Sequence, residues 1–459
     1  MLHEKIAVIL AAGNGKRMMS KKPKVLCEVL YKPMLSWVIS ACEKAGVEKI
    51  CVVAGYGHEQ VEDSLGGGYR IVLQTERLGT GHALKMAGNF LKENAGSDLL
   101  VLCGDAPFID EKTIGEAHAL HQQQGNSVTV VTAELENPFG YGRVLREGDG
   151  ISGIVEQKEA TKEQQKIREI NSGVYWFKTD DLIPALEQIK NDNAKGEYYL
   201  TDSIAILLSS GKRAGAYLAP NADACLGAND RKTLLELNRK AAERVIEKHL
   251  ENGVGFVSAD GVVIGPDVKI GAGTEIDPNV ILKGKTTIGE NCFIGQGCVL
   301  EDTTVGNDVK LYAVQSEGAV IRDGVRIGPF AHLRPNTEIR AEAKLGNFVE
   351  IKNSVIGEKT AVAHLTYVGD SDVGCGVNFG CGVVTVNYDG SEKHRTVIGD
   401  HAFIGCNTNL VAPVKVGDTA YTGAGSTITK DIPDGALAVE RTDTKIVEGY
   451  AYRKLKKKK

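Results

Sequence analysis

Two groups of residues in this 459-residue chain have the types and spacing to do chemistry. The first begins at Leu10-Ala11-Ala12-Gly13 and runs on through Asn14, Gly15, Lys16 and Arg17. Ala11, Ala12 and Gly13 carry almost no side chain, so a ligand can approach their backbone. Consecutive amides in such a loop form a nest for anionic oxygens. Lys16, Arg17 and Lys24 add positive charge. The loop is neither the GxxxxGK[ST] phosphate loop nor a complete GxGxxG, and alone it reads equally as a tight turn with solvated basic residues. Asp105 closes the apolar run DLLVLCGD and offers a carboxylate suited to Mg²⁺, which takes one or two carboxylates plus phosphate oxygens and water. A helix N-cap is the other reading of that residue.

The second group lies far along the chain. It comprises Arg334 in HLRP, Glu350 and Lys352 in EIKNS, His364 and Tyr367 in AHLTYVGD, and Asn378 in NFGCG. Asn387, Tyr388 and Lys393 complete it within VTVNYDGSEKHRTV (384–397). Taken singly these are a polar histidine and solvated charges. Taken together with the polar excursion that holds the last three, they read as a functional constellation.

Different elements must position the two groups. Residues 1–228 alternate short aliphatic runs (6–13, 49–57, 70–74, 98–105, 127–135) with amphipathic stretches such as 34–46 and 81–96. This alternation predicts a mainly parallel sheet covered by helices, with ligands beyond the carboxyl ends of the strands. Residues 229–252 set Leu234, Leu237, Ala241, Val245 and Leu250 on or near one helical face and predict a linker helix. From 253 to 459 the period becomes six. An aliphatic residue, usually followed by glycine, recurs at Ile264, Ile270, Ile276, Leu282, Ile288, Ile294 and Leu300, and onward to Ile428. The step shortens to five after Leu300, Ile351 and Val368, and Thr422 takes one slot. Such hexads predict a left-handed parallel β-helix whose coils share one core, the small residue allowing the turn. The pattern breaks at 312–320 and at 384–397, the latter read as a functional excursion. Adjacent coils lie ~4.8 Å apart, so residues of successive coils can converge on one stripe.

Composition limits the rest. The formal net charge is −5, which disfavours nucleic acid as the main partner. No window reaches the ~18 consecutive apolar residues of a membrane span, and the amino-terminus lacks a signal-peptide layout. The ten cysteines form no CxxC pair and read as free, buried thiols of a cytoplasmic protein. The tail RKLKKKK (453–459) reads as a solvated, disordered end.

LAAGNGKRM, PKVL, QTERLGTGHA, LCGDAP, EINSG and GEYYLTD resemble the sugar-1-phosphate nucleotidyltransferases. Joined to the hexapeptide half, the whole chain resembles a bacterial bifunctional family. That family joins N-acetylglucosamine-1-phosphate uridylyltransferase to glucosamine-1-phosphate acetyltransferase and supplies cell-envelope precursors. The resemblance implies that Leu10, Ala11, Ala12 and Gly13 hold uridine and phosphates and that Lys24 contacts phosphate. It implies that Gln74, Gly79 and Thr80 read uracil, and that Gly142, Glu156 and Asn171 hold the sugar. Asp105 and Asn229 would hold Mg²⁺, and Arg17 would stabilise charge on the reacting phosphates. In the other half, Arg334, Lys352 and Lys393 would bind the sugar phosphate, while Tyr367, Asn387 and Tyr388 position glucosamine. His364 would be the general base, with Glu350 and Asn378 orienting base and amine. Acetyl-CoA would touch Cys381, Asn387, Tyr388, Cys406, Ala424 and Arg441. Cys103, Cys381 and Cys406 depart from the residues expected at their positions. The resemblance also implies UTP and acetyl-CoA as co-substrates and a homotrimer formed through the β-helix. Two other readings are a nucleotidyltransferase whose solenoid only builds an oligomer, and a non-catalytic nucleotide-sugar sensor. The first should lack His364 and the excursion, and the second should lack Asp105, Asn229 or the basic loop.

Overall fold

A computed structural model describes residues 4–193 and 196–455. The chain divides between Ala241 and Ala242 into two compact units. Among the described residues no helix is long and apolar enough to cross a membrane.

In the first unit, strand Lys5–Ala11 sits inside the sheet because its side chains are aliphatic on both faces; Ile6, Ala7, Val8 and Ile9 are wholly buried. It pairs in parallel with Lys49–Ala54 on one side and Asp98–Cys103 on the other. Arg70–Leu73 forms one edge. Glu169–Lys178 runs antiparallel between Asp98–Cys103 and Val128–Glu134, with a bulge between Asn171 and Val174, and Ala214–Leu218 forms the other edge. Two buried clusters, one on each face, hold the helices against this mainly parallel sheet. Leu10 lies opposite Cys103, so the Ala11–Gly13 turn and Asp105 leave the sheet side by side. The stretch expected as one helix over 81–96 is two, Thr80–Met86 and Gly88–Glu93, joined at Ala87.

The predicted linker helix is Arg231–Glu251. Leu234, Leu237 and Ala241 are buried as expected, but Leu250 is exposed and His249 is buried instead. His249 continues the four-residue step from Leu237 through Ala241 and Val245, and Leu250 falls one residue off that face.

The second unit is three parallel sheets of short strands, which wind as a β-helix. Every aliphatic slot named above is buried. Ile264 pairs with Leu282 and Leu282 with Leu300, eighteen residues or three hexads per coil. Both supposed breaks are partly filled. Ser316 occupies a core slot opposite Leu300 and Leu333, and strand Val384–Val386 puts Thr385 in the next one. Their hydroxyls are satisfied inside the prism: Ser316 bonds Thr303 at 2.9 Å, and Thr385 accepts from the Gly369 N–H at 2.7 Å. Residues 312–320 are therefore not an interruption, and the excursion narrows to the segment between Val386 and Thr396.

The role of the glycines also differs from expectation. Many that follow the aliphatic slot lack positive φ; a Cβ on Gly271 would lie 2.6 Å from the Gly289 carbonyl of the next coil. They permit close stacking of coils, and the corners are turned by left-handed residues such as Asn279, Asn291 and Asp308. The tail is helical over Tyr450–Leu455, with Arg453 and Lys454 exposed, which corrects the expected disorder from 453. Residues 1–3 and 456–459 lie outside the described residues.

The ten thiols are free, but Cys406 is exposed and Cys103, Cys375 and Cys381 are only partly covered, so the expectation of uniformly buried cysteines fails at these four.

Candidate functional sites

A cleft of about 430 Å³ opens beyond the carboxyl ends of the central strands. Of the residues singled out in the sequence, Leu10, Ala12, Gly13, Lys24, Gln74, Gly79, Thr80, Asp105 and Glu156 line it. The loop from Gln74 to Thr80 is clamped. Gln74 is buried and its Nε2 donates to the Gly79 carbonyl at 3.0 Å; Thr80 Oγ1 accepts from the Leu200 N–H, also at 3.0 Å. Gly79 has φ +101°, and a Cβ there would sit 2.6 Å from the Tyr198 carbonyl. Only glycine fits that conformation and that gap.

Lys24 forms an ion pair with Asp105, and its Nζ donates to Asn229 Oδ1 at 3.0 Å. A carboxylate and an amide oxygen thus converge on one cationic group at the cleft wall. This all-oxygen donor set fits a hard divalent cation completed by phosphate oxygens and water. Among the described residues no group of three His, Cys, Asp or Glu could hold a metal alone, so such an ion would depend on its substrate for further ligands. Gly142, Glu156 and Asn171 are neighbours: a Cβ on Gly142 would lie 3.5 Å from Glu156 Oε1 and 3.6 Å from the Asn171 Cβ. The Asn171 N–H donates to the Gly142 carbonyl at 2.9 Å. Cys103 lines the cleft with its thiol pushed up to about 12, by burial first and then by the Asp105 charge, which keeps it protonated.

Five expected residues are not part of the cleft lining: Gly142, Asn171 and Asn229 adjoin it through Glu156 and Lys24, whereas Ala11 and Arg17 stand apart. Ala11 ends its strand buried, and Arg17 is exposed in a short 3-10 turn, its charge acting on Asp230 at the start of the long helix. Arg77, Glu197 and Tyr199 line the cleft without having been singled out. They belong to the quoted stretches QTERLGTGHA and GEYYLTD, so the motif pointed at them although no chemistry was assigned.

On the β-helix, the second group gathers around one corner and its neighbouring sheet face. His364 ends strand Ala361–His364 and is exposed. Asn347, directly opposite on the preceding coil, lies with Oδ1 3.0 Å from His364 Nδ1. An amide oxygen can only accept, so this contact puts the proton on Nδ1 and leaves Nε2 as the free base. Sequence reasoning expected Glu350 and Asn378 in that part. Glu350 instead accepts from Arg334 Nη1 at 3.2 Å, and Asn378 stands exposed on the next coil opposite Ala361. Asn347 carries no signal of its own in the sequence; its place emerges only from the coil register.

Above His364 the corner continues one residue per coil. The Gly382 N–H donates to the His364 carbonyl at 3.3 Å, Asn407 to Cys381 at 2.8 Å and Gly425 to Cys406 at 2.8 Å. His364, Cys381, Cys406 and Ala424 therefore form one column, which is the set expected along acetyl-CoA. Arg441 is exposed beyond the last strand, Leu437–Ala438.

The excursion is a small hairpin. Tyr388 bridges Lys393, the Tyr388 hydroxyl donates to the Gly390 carbonyl at 2.7 Å, and Asp389 accepts from the Ser391 and Glu392 amides. Those amides, with His394 at 2.7 Å, hold the Asp389 carboxyl well below the usual carboxylate range. The hairpin brings Lys393 against Lys352. Lys393 first, then desolvation and Arg334, push the Lys352 pKa down, and the Asp370 charge opposes them only in part. Tyr367 and Asn387 face each other across Gly369, where a Cβ would collide with the Tyr367 hydroxyl and lie 2.9 Å from Asn387 Nδ2.

Residues 6–226 match the nucleotidyl transferase family, and 261–302, 318–353 and 395–430 match the six-repeat bacterial transferase hexapeptide family. The gap between the last two matches holds His364, Tyr367, Asn378, Asn387, Tyr388 and Lys393. Curated relatives cover nearly the whole chain. A bifunctional protein GlmU of Acetivibrio thermocellus is 46% identical over 98% of this chain and 97% of its own length. One from Clostridium beijerinckii is 46% identical over 99% of this chain and 100% of its own. One from Listeria monocytogenes is 44% identical over 98% of each.

Proposed function

We propose that this chain, which belongs to the family of bifunctional GlmU proteins, catalyses two successive steps of UDP-N-acetylglucosamine synthesis, one with each half. The β-helix transfers acetyl from acetyl-CoA to glucosamine-1-phosphate, and the amino-terminal half transfers uridylyl from UTP to the N-acetylglucosamine-1-phosphate so formed. The observation that carries the pairing is family identity running through both halves without a gap in coverage.

In the acetyl step, Arg334, Lys352 and Lys393 take the sugar phosphate, whose charge relieves their mutual repulsion. Tyr367, Asn387 and Tyr388 orient the sugar, and Asn378 faces the amine. His364 Nε2 removes a proton from the amine as its nitrogen attacks the thioester carbonyl. Asn347 fixes the tautomer that makes this possible. The thioester C–S bond then breaks and coenzyme A leaves as its thiol. Cys381, Cys406 and Ala424 flank the path of the cofactor, and Arg441 meets its anionic end. We assign the complete site to a homotrimer, since the corner is an open surface on a single chain.

In the uridylyl step, the Ala11–Gly13 backbone receives phosphate oxygens and Gln74, Gly79 and Thr80 read the uracil edge. Gly142, Glu156 and Asn171 hold the sugar, so its phosphate oxygen attacks the α-phosphorus in line and pyrophosphate leaves. Asp105 and Asn229 would hold Mg²⁺, which when bound supplies charge neutralisation on the phosphates. Lys24, now between these two residues, turns to a phosphate oxygen, and Arg17 swings in from the exposed turn. Alignment and neutralisation suffice here because no covalent intermediate is required. Substrates of this kind fit the cytoplasmic setting expected from the sequence.

The test supplies purified protein with glucosamine-1-phosphate, acetyl-CoA, UTP and Mg²⁺ and follows each product separately. Formation of UDP-N-acetylglucosamine only when both donors are present supports the reading; absence of either intermediate reaction sinks it.

A further inference from the structure

We propose that Asp370 is a positioning residue of the acetyl-transfer site, clipping both roots of the excursion and setting a fixed negative charge beneath the phosphate-binding cations. The inference deepens the reading of Asn387, Tyr388 and Lys393 as sugar-phosphate residues and rests on it.

Asp370 turns the corner after strand Tyr367–Gly369 with φ +49° and is buried. Left-handed corners elsewhere on the prism are turned by residues as different as Asn353, Leu365 and Asn407, so the turn itself does not demand an acid. A buried carboxylate is costly unless each oxygen is satisfied. Here Oδ1 accepts from Asn353 Nδ2 and Oδ2 from Asn387 Nδ2. Asn387 is where the excursion departs. Where it returns, the Thr396 N–H donates to the Asp370 carbonyl at 3.1 Å. One residue thus grips the excursion at both ends. Arg395 seconds the grip from the returning leg, pairing with Asp372 through Nε at 2.9 Å and donating to the Asn353 carbonyl at 3.3 Å.

Two amide NH₂ groups aimed at one side chain need two acceptors and no donor. Only a carboxylate offers that; an asparagine would turn an NH₂ toward one of them. The second role is electrostatic. Burial pushes the Asp370 carboxyl up, but Asn353, Asn387, Lys393 and Lys352 outweigh it and leave the group ionised. Lys352 is faced by Lys393 from the hairpin, Arg334 from the preceding coil, and Asp370 from the following coil; Glu350 on the same strand is engaged with Arg334. Among these, Asp370 is the group that favours the charged form of Lys352.

D370N in the full chain tests this. The KM for glucosamine-1-phosphate should rise about tenfold, the loss of one hydrogen bond to a charged group, while kcat changes less. The alkaline limb of kcat/KM for that substrate should move about half a unit to lower pH, because Lys352 loses its counter-charge. Uridylyl transfer, measured in the same tube, should stay within twofold, and denaturant titration of the β-helix reports folding. A KM within twofold of the parent with an unmoved alkaline limb overturns the proposal. If the D370N β-helix unfolds more readily than the parent, N353A decides instead, since it frees one Asp370 oxygen and leaves the charge. A rise of about threefold in the same KM supports the proposal, and no change overturns it. K393A separates the two levels: if it leaves the KM untouched, the reading of the excursion fails, and if it raises the KM where D370N does not, only the role of Asp370 falls.

Discussion

On the function proposed above, the cleft of the amino-terminal half and the corner of the β-helix solve the same problem, holding a sugar phosphate beside an activated donor, by opposite means. The cleft is assembled from loops that leave neighbouring strands and fasten onto one another, as Gln74 to Gly79 and Thr80 to Leu200 do. Its lining residues are scattered from Leu10 to Tyr199, and it encloses volume within one chain. The corner is assembled by register. His364, Cys381, Cys406 and Ala424 stand in line because each is one coil beyond the last, and the site lies open on the surface. Enclosure comes from loop chemistry, whereas a long straight track comes from repetition.

Four experiments press on that contrast. Asp105→Ala should have the largest effect. Uridylyl transfer should lose several kcal/mol of charge stabilisation, about three decades or more in rate, with acetyl transfer unchanged. A chelator should reproduce the same split in the parent protein. His364→Ala should cost acetyl transfer about two to three decades and spare uridylyl transfer. Parallel loss of both activities in either folded variant would mean the two sites are not independent. Asn347→Ala should lower acetyl kcat by about one decade, through loss of the tautomer-fixing contact; kcat equal to the parent would return the orienting part to Glu350 or Asn378. Thr385→Val should act on the scaffold only. It leaves the buried Gly369 N–H without its acceptor and should cost about 1–3 kcal/mol in the unfolding of the β-helix, read by denaturant titration. A more stable Val variant would show that the slot prefers bulk to a hydroxyl.

The two halves also differed in how far the sequence could be read. The six-residue period gave the coils almost entire, because a prism core admits one aliphatic residue per face and repeats it. It failed at Ser316 and Thr385, where a satisfied hydroxyl fills a core slot and looks polar. It failed again for Asn347 and Asp370, whose meaning depends on what lies one coil away, at steps of sixteen to eighteen residues distorted by short hexads. In the first half the strand alternation located the crevice, and most named residues do line it. Arg17 does not, since local pattern does not record to which side a short turn directs a charged side chain. Glu197 and Tyr199 were missed because they arrive from a loop pinned by backbone contacts to Leu78 and Gly81. Hydrophobic periodicity carries no record of such contacts.

The carboxy-terminal end of the long helix has a consequence for anyone dividing this chain. Val245 packs on the prism core, His249 is buried, and the His249 carbonyl accepts from the Val254 N–H at 3.0 Å. The end of the helix is therefore a cap on the lowest rung, covering apolar core there. A fragment trimmed to start at Gly253 would bare that core, and because each rung templates the next, such fragments should join end to end into filaments. A fragment that keeps residues 242–252 should stay dispersed.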